Sequence, residues 1–515
     1  MSTRVRVPIE LDNPAIERIE ALCVKCGLCT KVCRDYVGVL DHYDLERAGG
    51  VALCTHCGQC TTVCPTASIV EKSEVEALKN ALADKEKVLV MTASPAVRVA
   101  LGEAFGGNAG DFVEGKMVAL LRKLGANYVL DTNFAADLTV VEEATEFLER
   151  FTKGRAPLPL FTSCCPAWVK YCEVFHPEML PHLSSAKSPI AMQGATIKTY
   201  FAKKIGVDPA KIINVAVTPC TAKKFEVRRE EMNAAGRSIG NPAMRDTDFV
   251  ITTRELAKWA KEEKIDFAAL EESAFDNPLG LSSGAGVIFG VTGGVMEAAL
   301  RTAAFYLTGK NVEGDFLKFV SPDGKEDFRE AEVTLAGRTL HVAVIYGTNR
   351  AGKVIEEIKR GERHYDFIEV MSCPEGCIGG GGQPKASYGK EKATLANRAA
   401  ALRARDKALP LRFSHENPEI KAVYEEFYGA PLSEKAKSLL HTSYVDRSAL
   451  LGKDCKKVPQ EKESVQEVIS PAKPKEGGKK RFRCTLCGHT YEAEELPADY
   501  KCPLCGAAAS AFEEI

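Results

Sequence analysis

One cysteine spacing, given twice, restricts this chain more than anything else in it. Cys23, Cys26, Cys29 and Cys33 read C-x-x-C-x-x-C-x-x-x-C; Cys54, Cys57, Cys60 and Cys64 repeat it, with Pro65 behind. Four thiolates serve one four-iron cluster, so eight serve two, and in this spacing the last cysteine of each run ligates the other cluster. Thiolates also suit zinc, but zinc sites pair two C-x-x-C units across a longer gap. The chain has 515 residues and 19 cysteines. In a chain this long, such spacing reads as metal binding in a reducing compartment rather than a disulfide framework.

The totals narrow the class. The chain is 45% hydrophobic and 27% charged with a net charge of −2, which fits a globular protein and gives no charge-based reason for a nucleic-acid or membrane partner. MSTRVRVPIELDNPAIERIEAL has charges throughout and no apolar stretch of the signal-peptide kind. No apolar run is long enough to span a bilayer. The expected location is the cytoplasm.

From about Lys85 to Tyr444 strands alternate with helices. KVLVMTA reads as a buried strand with PAVRVALGEAF as the helix after it. NYVLDT precedes a helix through VVEEATEFLERF, PLPLF leads into TSCCP, and KIINVAVT leads into PCTAKKFE. DFVITT precedes RELAKWAKEEK, where Thr252 and Glu255 have capping-box spacing. REAEVTLAGRTLHVAVIYG reads as a hairpin turning near Gly337, and YDFIEVM leads into SCPEGCIGGGGQP. Repeats of this kind predict parallel sheets flanked by helices. Cys164/Cys165, Cys220 and Cys373/Cys377 each fall just past the C-terminal end of a predicted strand, the edge where open α/β sheets bind ligands.

Residues 453–480 are rich in Lys, Glu and Pro and read as a flexible linker. Cys484, Cys487, Cys502 and Cys505 follow as two C-x-x-C-G knuckles, a tetrahedral four-thiolate site for iron or zinc. With eight cysteines near the start and four in the tail, seven are left. If Cys165 supplies the ligand of its loop, Cys220, Cys373 and Cys377 complete a third four-thiolate set. Cys172 and Cys455 have no assigned role; a small buried hydrophobe and a linker thiol are the plain readings.

These motifs carry three resemblances. The first 84 residues resemble two-cluster bacterial ferredoxins, a small α+β fold. Residues 481–515, with Tyr491 and Phe512, are similar to rubredoxin in its short form at the end of rubrerythrins, which implies a redox iron where a structural zinc is the alternative. TSCCPAW, PCTAKKFE and EVMSCPEGCIGGGGQP resemble the three signature loops of [FeFe]-hydrogenases. That likeness extends over residues 85–452 through SSAKSP, ITTREL, SGAGVIFGVTGGVMEAALR and SHENPEI, and implies a two-lobed α/β catalytic domain.

The hydrogenase resemblance implies an H-cluster: a cubane on Cys165, Cys220, Cys373 and Cys377, joined through Cys377 to a two-iron unit carrying CO, cyanide and a bridging dithiolate. It implies that Lys223 donates to a cyanide and that Phe289 and Met371 wall the site. Gly379 to Gly382, lacking side chains, fit close backbone approach to a bulky cofactor. A proton route is implied from Arg150 near the surface through Glu146, Ser184 and Glu143 to Cys164. The implied activity is 2 H⁺ + 2 e⁻ ⇌ H₂, with a ferredoxin or similar small carrier and hydrogenase maturation proteins as partners. Ala96, Ala167, Ile190 and Thr218 depart from the commonest family pattern, in a way expected to alter bulk and hydrogen bonding around the two-iron unit. The alternatives are a slow hydrogen sensor, a non-catalytic iron–sulfur relative, or an electron-transfer or peroxide-defence module. The last lacks the carboxylate-and-histidine helices of a di-iron centre.

Overall fold

The computed structural model describes residues 6–10, 12–39, 53–314, 316–451, 480–484, 490–493, 495–502 and 508–514. Cys455, Cys487, Cys505 and the linker residues 453–479 lie outside the described residues.

The N-terminal segment has little regular structure. Strand β1 (Ile16–Arg18) pairs antiparallel with β2 (Ile69–Glu71), with Ile16 opposite Glu71. Between them lie short helices at Leu28–Val32 and Gln59–Val63. The sequence repeat is also a backbone repeat. Lys25 and His56 have φ of 55° and 63°, and Gly27 and Gly58, which start the two helices, have 81° and 70°. A left-handed residue before each helix start needs the second position to be glycine at little strain.

The next strands are β3 (Val88–Ala93), β4 (Tyr128–Asp131), β5 (Leu160–Phe161), β6 (Ile212–Thr218), β7 (Phe249–Thr252), β8 (Phe328–Leu335), β9 (Arg338–Tyr346) and β10 (Phe367–Met371). They form two sheets. One is wholly parallel, in the order β4-β3-β6-β7, with Ala93 beside both Asp131 and Val217. Every residue of β6 is buried, as in a strand covered on both faces. The other has the order β5-β10-β9-β8; β10 is parallel to β5 and β9, and β8 is antiparallel to β9. The β8–β9 hairpin turns at Ala336 and Gly337, with φ of 51° and 76°, the left-handed pair that matches strand twist in a two-residue loop.

Helix α1 (Thr132–Lys153) leaves β4, capped by the Asp131 carboxylate, which accepts the Asn133 N–H at 2.8 Å. It is buried from Thr132 through Ala144 and packs against α3 (Gly294–Thr308). Between them in sequence, α2 (Pro166–Phe175) follows β5. The capping box predicted at Thr252 and Glu255 is present and opens a helix over Thr253–Glu262. No helix among the described residues is long and apolar enough to cross a membrane.

PAVRVALGEAF is not an α-helix. It forms two 3-10 turns, Pro95–Val97 and Leu101–Phe105. The carbonyls of Arg98 and Val99, which a helix would need, accept instead from the N–H groups of Val113 (2.8 Å) and Gly110 (3.1 Å). Arg98 itself is fully buried and donates to Asp131 (2.7 Å) and the Ala93 carbonyl (3.0 Å). Satisfying a buried guanidinium overrides local helix propensity here.

In the tail, β11 (Lys480–Cys484) lies between β12 (Thr490–Ala493) and β13 (Phe512–Glu514), antiparallel to both. The two aromatic marks of the tail meet on one ring: Tyr491 and Phe512 pack against Tyr500 at 4.2 and 5.2 Å between centroids.

Candidate active site

The three cysteine loops leave β5, β6 and β10 at their C-terminal ends and bring both sheets to one site. In the first loop Thr162 extends the pairing of β5 by donating to the Ile368 carbonyl at 3.0 Å. Cys165 then caps α2 on extended backbone (φ −93°, ψ 104°), ahead of Pro166. Extended backbone sends adjacent side chains to opposite sides. Cys164 packs in a buried cluster with Ala136, Val140, Phe289 and Met371. The Cys165 sulfur lies 3.4 Å from both the N–H and the hydroxyl of Ser372 in the third loop. In the second loop the Thr218 hydroxyl accepts the Cys220 N–H at 3.3 Å, which shapes the turn through Pro219. In the third, Glu375 and Gly376 turn the chain at φ 55° and 88° before Cys377.

Cys165, Cys220, Cys373 and Cys377 converge. Burial, then repulsion from Cys165, pushes the Cys220 thiol up to about 12; burial, then Cys220 and Cys165, does the same for Cys377. Burial, then Cys220 and Cys165, drives Cys373 well above the usual thiol range. Buried thiolates that oppose one another are relieved by a bound cation. A second observation points the same way. The Tyr36 hydroxyl is buried with no hydrogen-bond partner among the described residues, and Cys373, Cys57 and Cys165 all face it. A metal–sulfur group would supply the acceptor it lacks. The residues present therefore fit a cluster.

The N-terminal thiols sort into two sets. Cys33, Cys54, Cys57 and Cys60 line one cavity, and Cys23, Cys26, Cys29 and Cys64 line another. The last cysteine of each run has crossed to the other set, as the spacing predicts. The first of these sets abuts the central site: Cys57 and Cys220 belong to one buried cluster with Ala167 and Ala222.

Two of the glycines Gly379 to Gly382 pack against other segments. A Cβ on Gly380 would lie 2.3 Å from the Pro219 carbonyl, and one on Gly381 would lie 2.5 Å from the Cys57 carbonyl. They allow the third loop to pack against the second loop and the N-terminal segment. Thr61 and Gln59 seal that contact by donating to the carbonyls of Gly381 (2.8 Å) and Gly379 (3.0 Å).

Lys223 opens a short helix over Lys223–Glu226. Its buried ammonium donates to Glu226 at 2.8 Å and to the Cys164 carbonyl at 3.0 Å, so one of its three N–H donors is left over. Burial alone would lower its pKa; Glu226 and the Cys220 thiolate outweigh that and raise it. Ser188 holds Glu226 in turn, at 3.0 Å.

Helix α1 carries the expected acids inward. Asp137 is held by Ser283, Ser414 and Asn417, and Glu142 by Tyr424 and His441. Glu146 accepts from Arg150 (2.6 Å), Ser184 (3.2 Å) and Ser185 (3.0 Å). Glu143 differs: its Oε2 is buried with no partner among the described residues. Burial, offset in part by the Ser184 hydroxyl and reinforced by Glu146, pushes its pKa up to about 8. Cys164 is raised well above the usual range by burial and then by Glu143. Both shifts favour the protonated form of the group.

Arg150, expected near the surface, is buried. Its guanidinium needs acceptors and finds them in Glu146 and the carbonyls of Leu183 (2.8 Å) and Pro181 (3.1 Å). Because a guanidinium does not give up its proton in proteins, the hydrogen-bonded chain beyond Glu146 matters. It continues through the Ser185 hydroxyl to His441 Nδ1 (2.8 Å), and from His441 Nε2 to Glu142 (3.0 Å). The SSAKSP stretch offered Ser185 as a signal, but nothing local to His441 pointed to this site.

Comparison with known proteins now bears on this site. The family model described as "Iron only hydrogenase large subunit, C-terminal domain" matches residues 86–381, more than half of the chain. The chain belongs to the iron-only hydrogenase family. The model for the iron hydrogenase small subunit matches residues 392–447, and that for the rubrerythrin rubredoxin-like domain matches 482–513. The NADP-reducing hydrogenase subunit HndD of Solidesulfovibrio fructosivorans is 45% identical over 85% of this chain and 68% of its own length. The cytosolic iron-sulfur assembly component 3 of Bos taurus is 34% identical over 72% of this chain and 76% of its own. Among solved structures, apo [FeFe]-hydrogenase HydA1 from Chlamydomonas reinhardtii superposes with a TM-score of 0.65 at 39% identity, covering 73% of this chain and 99% of that one.

Three of the four departures belong to other apolar clusters than the one that holds Cys164. Ala167 packs with Cys57 and Cys220, Ala96 with Val287, Val291 and Ile378, and Ile190 with Ala216, Val227 and Val250. Thr218 acts on the Cys220 loop.

Proposed function

We propose that this chain is an [FeFe]-hydrogenase that interconverts protons, electrons and H₂ at an H-cluster. Its parts are a two-cluster ferredoxin-like domain (1–84), the catalytic domain (85–452), a linker (453–480) and a rubredoxin-like tail (481–515). Cys165, Cys220, Cys373 and Cys377 hold the cubane, with Cys377 also bound to the two-iron unit. The eight N-terminal cysteines hold two four-iron clusters, and Cys484, Cys487, Cys502 and Cys505 hold one iron, or zinc. When bound, these groups supply the electron transfer and the making and breaking of the H–H bond.

The observation that carries this reading is the buried Cys164 and the Glu143 carboxyl with its unpartnered oxygen beside four convergent thiols. The chain's residues have separable tasks. Cys164 holds a proton at its sulfur, on the side opposite the Cys165 sulfur. Glu143, with an unpartnered oxygen, returns protons to it from Glu146 by way of Ser184. Arg150 keeps Glu146 oriented. Lys223 presents its remaining N–H toward an anionic ligand such as cyanide, a charge-assisted bond. Phe289 and Met371 exclude water. The partners are H₂, a small redox carrier of the ferredoxin kind and the maturation proteins that deliver the two-iron unit, with the cytoplasm as the setting.

The second reading is a non-catalytic iron–sulfur relative, which the likeness to the assembly component favours. A buried acid with one oxygen unpartnered, as in Glu143, has a cost for which such a protein has no use. Infrared spectra of the anaerobically matured chain, with a hydrogen assay on the same sample, separate the readings. CO and cyanide bands with turnover are expected. Bands without turnover indicate a sensor, and no bands after successful maturation overturn the H-cluster reading.

A further inference from the structure

The two N-terminal thiol sets sit in different electrostatic surroundings. Around Cys23, Cys26, Cys29 and Cys64 the cations reach water or carry an exposed counter-ion: Arg18, 11% exposed, lines that cavity 4.0 Å from Glu20. Arg6 pairs with Glu20, whose side chain is 65% exposed. Lys385, which donates to the Cys64 carbonyl at 3.0 Å, is exposed. Charges placed like these are screened by solvent.

Lys170, beside the inner set, is placed otherwise. It stands one turn into α2, the helix that Cys165 caps, and is 9% exposed. Among the described residues no carboxylate lies within 4.0 Å of its ammonium. Glu173, the acid on the next turn, is occupied by Arg229 (2.6 and 3.1 Å), Arg447 (2.9 Å) and the Val445 N–H (3.0 Å). Lys170 instead donates to His56 Nε2 at 2.8 Å and lies 4.7 Å above the Phe225 ring, on which His56 also packs. Burial lowers its pKa, against which the Cys54 side chain and then Glu10 favour its charged form. His56 sits between Cys54 and Cys57, and its carbonyl accepts from Thr221, the residue after Cys220, at 2.7 Å. The ammonium therefore lies at the junction of the inner set and the central site. The opposing charge there is Glu10, which accepts the Cys54 N–H at 3.3 Å and an Asn13 N–H at 3.0 Å.

We propose that Lys170 sets the reduction potential of the cluster held by Cys33, Cys54, Cys57 and Cys60, raising it above that of the outer cluster so that an electron rests next to the central site. Adding one electron makes that cluster more negative by one charge. A buried, unscreened cation stabilises the reduced form more than the oxidised one. No proton or bond changes hands. The proposal rests on the reading that these four cysteines bind a four-iron cluster.

The test is a redox titration of the full iron-loaded chain, followed by electron paramagnetic resonance. Wild type is compared with Lys170→Met, Lys170→Arg and Glu10→Gln. Lys170→Met is expected to shift one N-terminal midpoint to more negative potential by about 59 mV or more, a tenfold change in a one-electron equilibrium, and to leave the other in place. Lys170→Arg keeps the wild-type value, and Glu10→Gln moves the same midpoint the opposite way, a check that holds even if Lys170→Met fails to fold. An unshifted midpoint in Lys170→Met, or an equal shift in Lys170→Arg, overturns the proposal. Absence of four-iron signals in the wild type overturns the cluster reading beneath it.

Discussion

The N-terminal segment and the central lobe use cysteine in opposite ways. In the segment the thiols are part of the core: its buried cluster joins Val7, Ala15, Ile16 and Ile69 to Cys29 and Cys60, and its strands are three residues long. In the lobe the site cysteines stand on loops after strands packed by separate apolar clusters, such as the one joining Met91, Val215, Ile251 and Trp259. The reading proposed for these thiols makes metal a structural requirement in the segment and a guest in the lobe, because apolar burial supports only the second without it.

The sharpest way to break that contrast is to remove iron anaerobically with a chelator and follow amide exchange. Protection over residues 6–84 is expected to collapse while β3, β6, β9 and β10 keep theirs; equal loss in both regions ends the distinction. Next in size is catalysis within the lobe. Cys164→Ala or Glu143→Ala should lower hydrogen evolution by roughly 10²–10⁴-fold with iron content unchanged, since neither group is among the proposed iron ligands. Turnover close to wild type in either variant refutes the route.

Glu143 also has a signature in stability. Its pKa rises from an ordinary 4.5 to about 8 in the folded chain, so folding takes up a proton between those values. The contribution is full below pH 4.5 and lost as pH rises through about 8. Glu143→Gln should flatten that decline in denaturation midpoints; an unchanged slope would place the proton elsewhere. At the seam between the regions, Gly381→Val puts a Cβ 2.5 Å from the Cys57 carbonyl and should cost about 1–3 kcal/mol, read by urea titration. The smallest effect is expected inside the lobe: Thr218→Val removes the acceptor of the Cys220 N–H and should cost about 1 kcal/mol with cluster content retained.

Much of this was legible in the chain because the signals are local. Strand ends, the β8–β9 turn, the capping box and the crossed cysteine runs follow from period, turn residues and spacing. The misreadings share a cause. PAVRVALGEAF looked helical until Arg98 found Asp131, and Arg150 looked like a surface residue until it found the carbonyls of Pro181 and Leu183. In each case a partner distant in sequence decided the outcome.

The sequence alone determined which thiols could group in fours and that adjacent Cys164 and Cys165 must face different ways, since ligand spacing and backbone alternation are properties of neighbours. Only the tertiary structure decided which acid on α1 was left with an unpartnered oxygen, and that Lys170 would lie buried against the inner cysteines with no carboxylate among the described residues within 4.0 Å. Burial and pairing are settled by the elements that close over a side chain, and those elements come from every part of the chain.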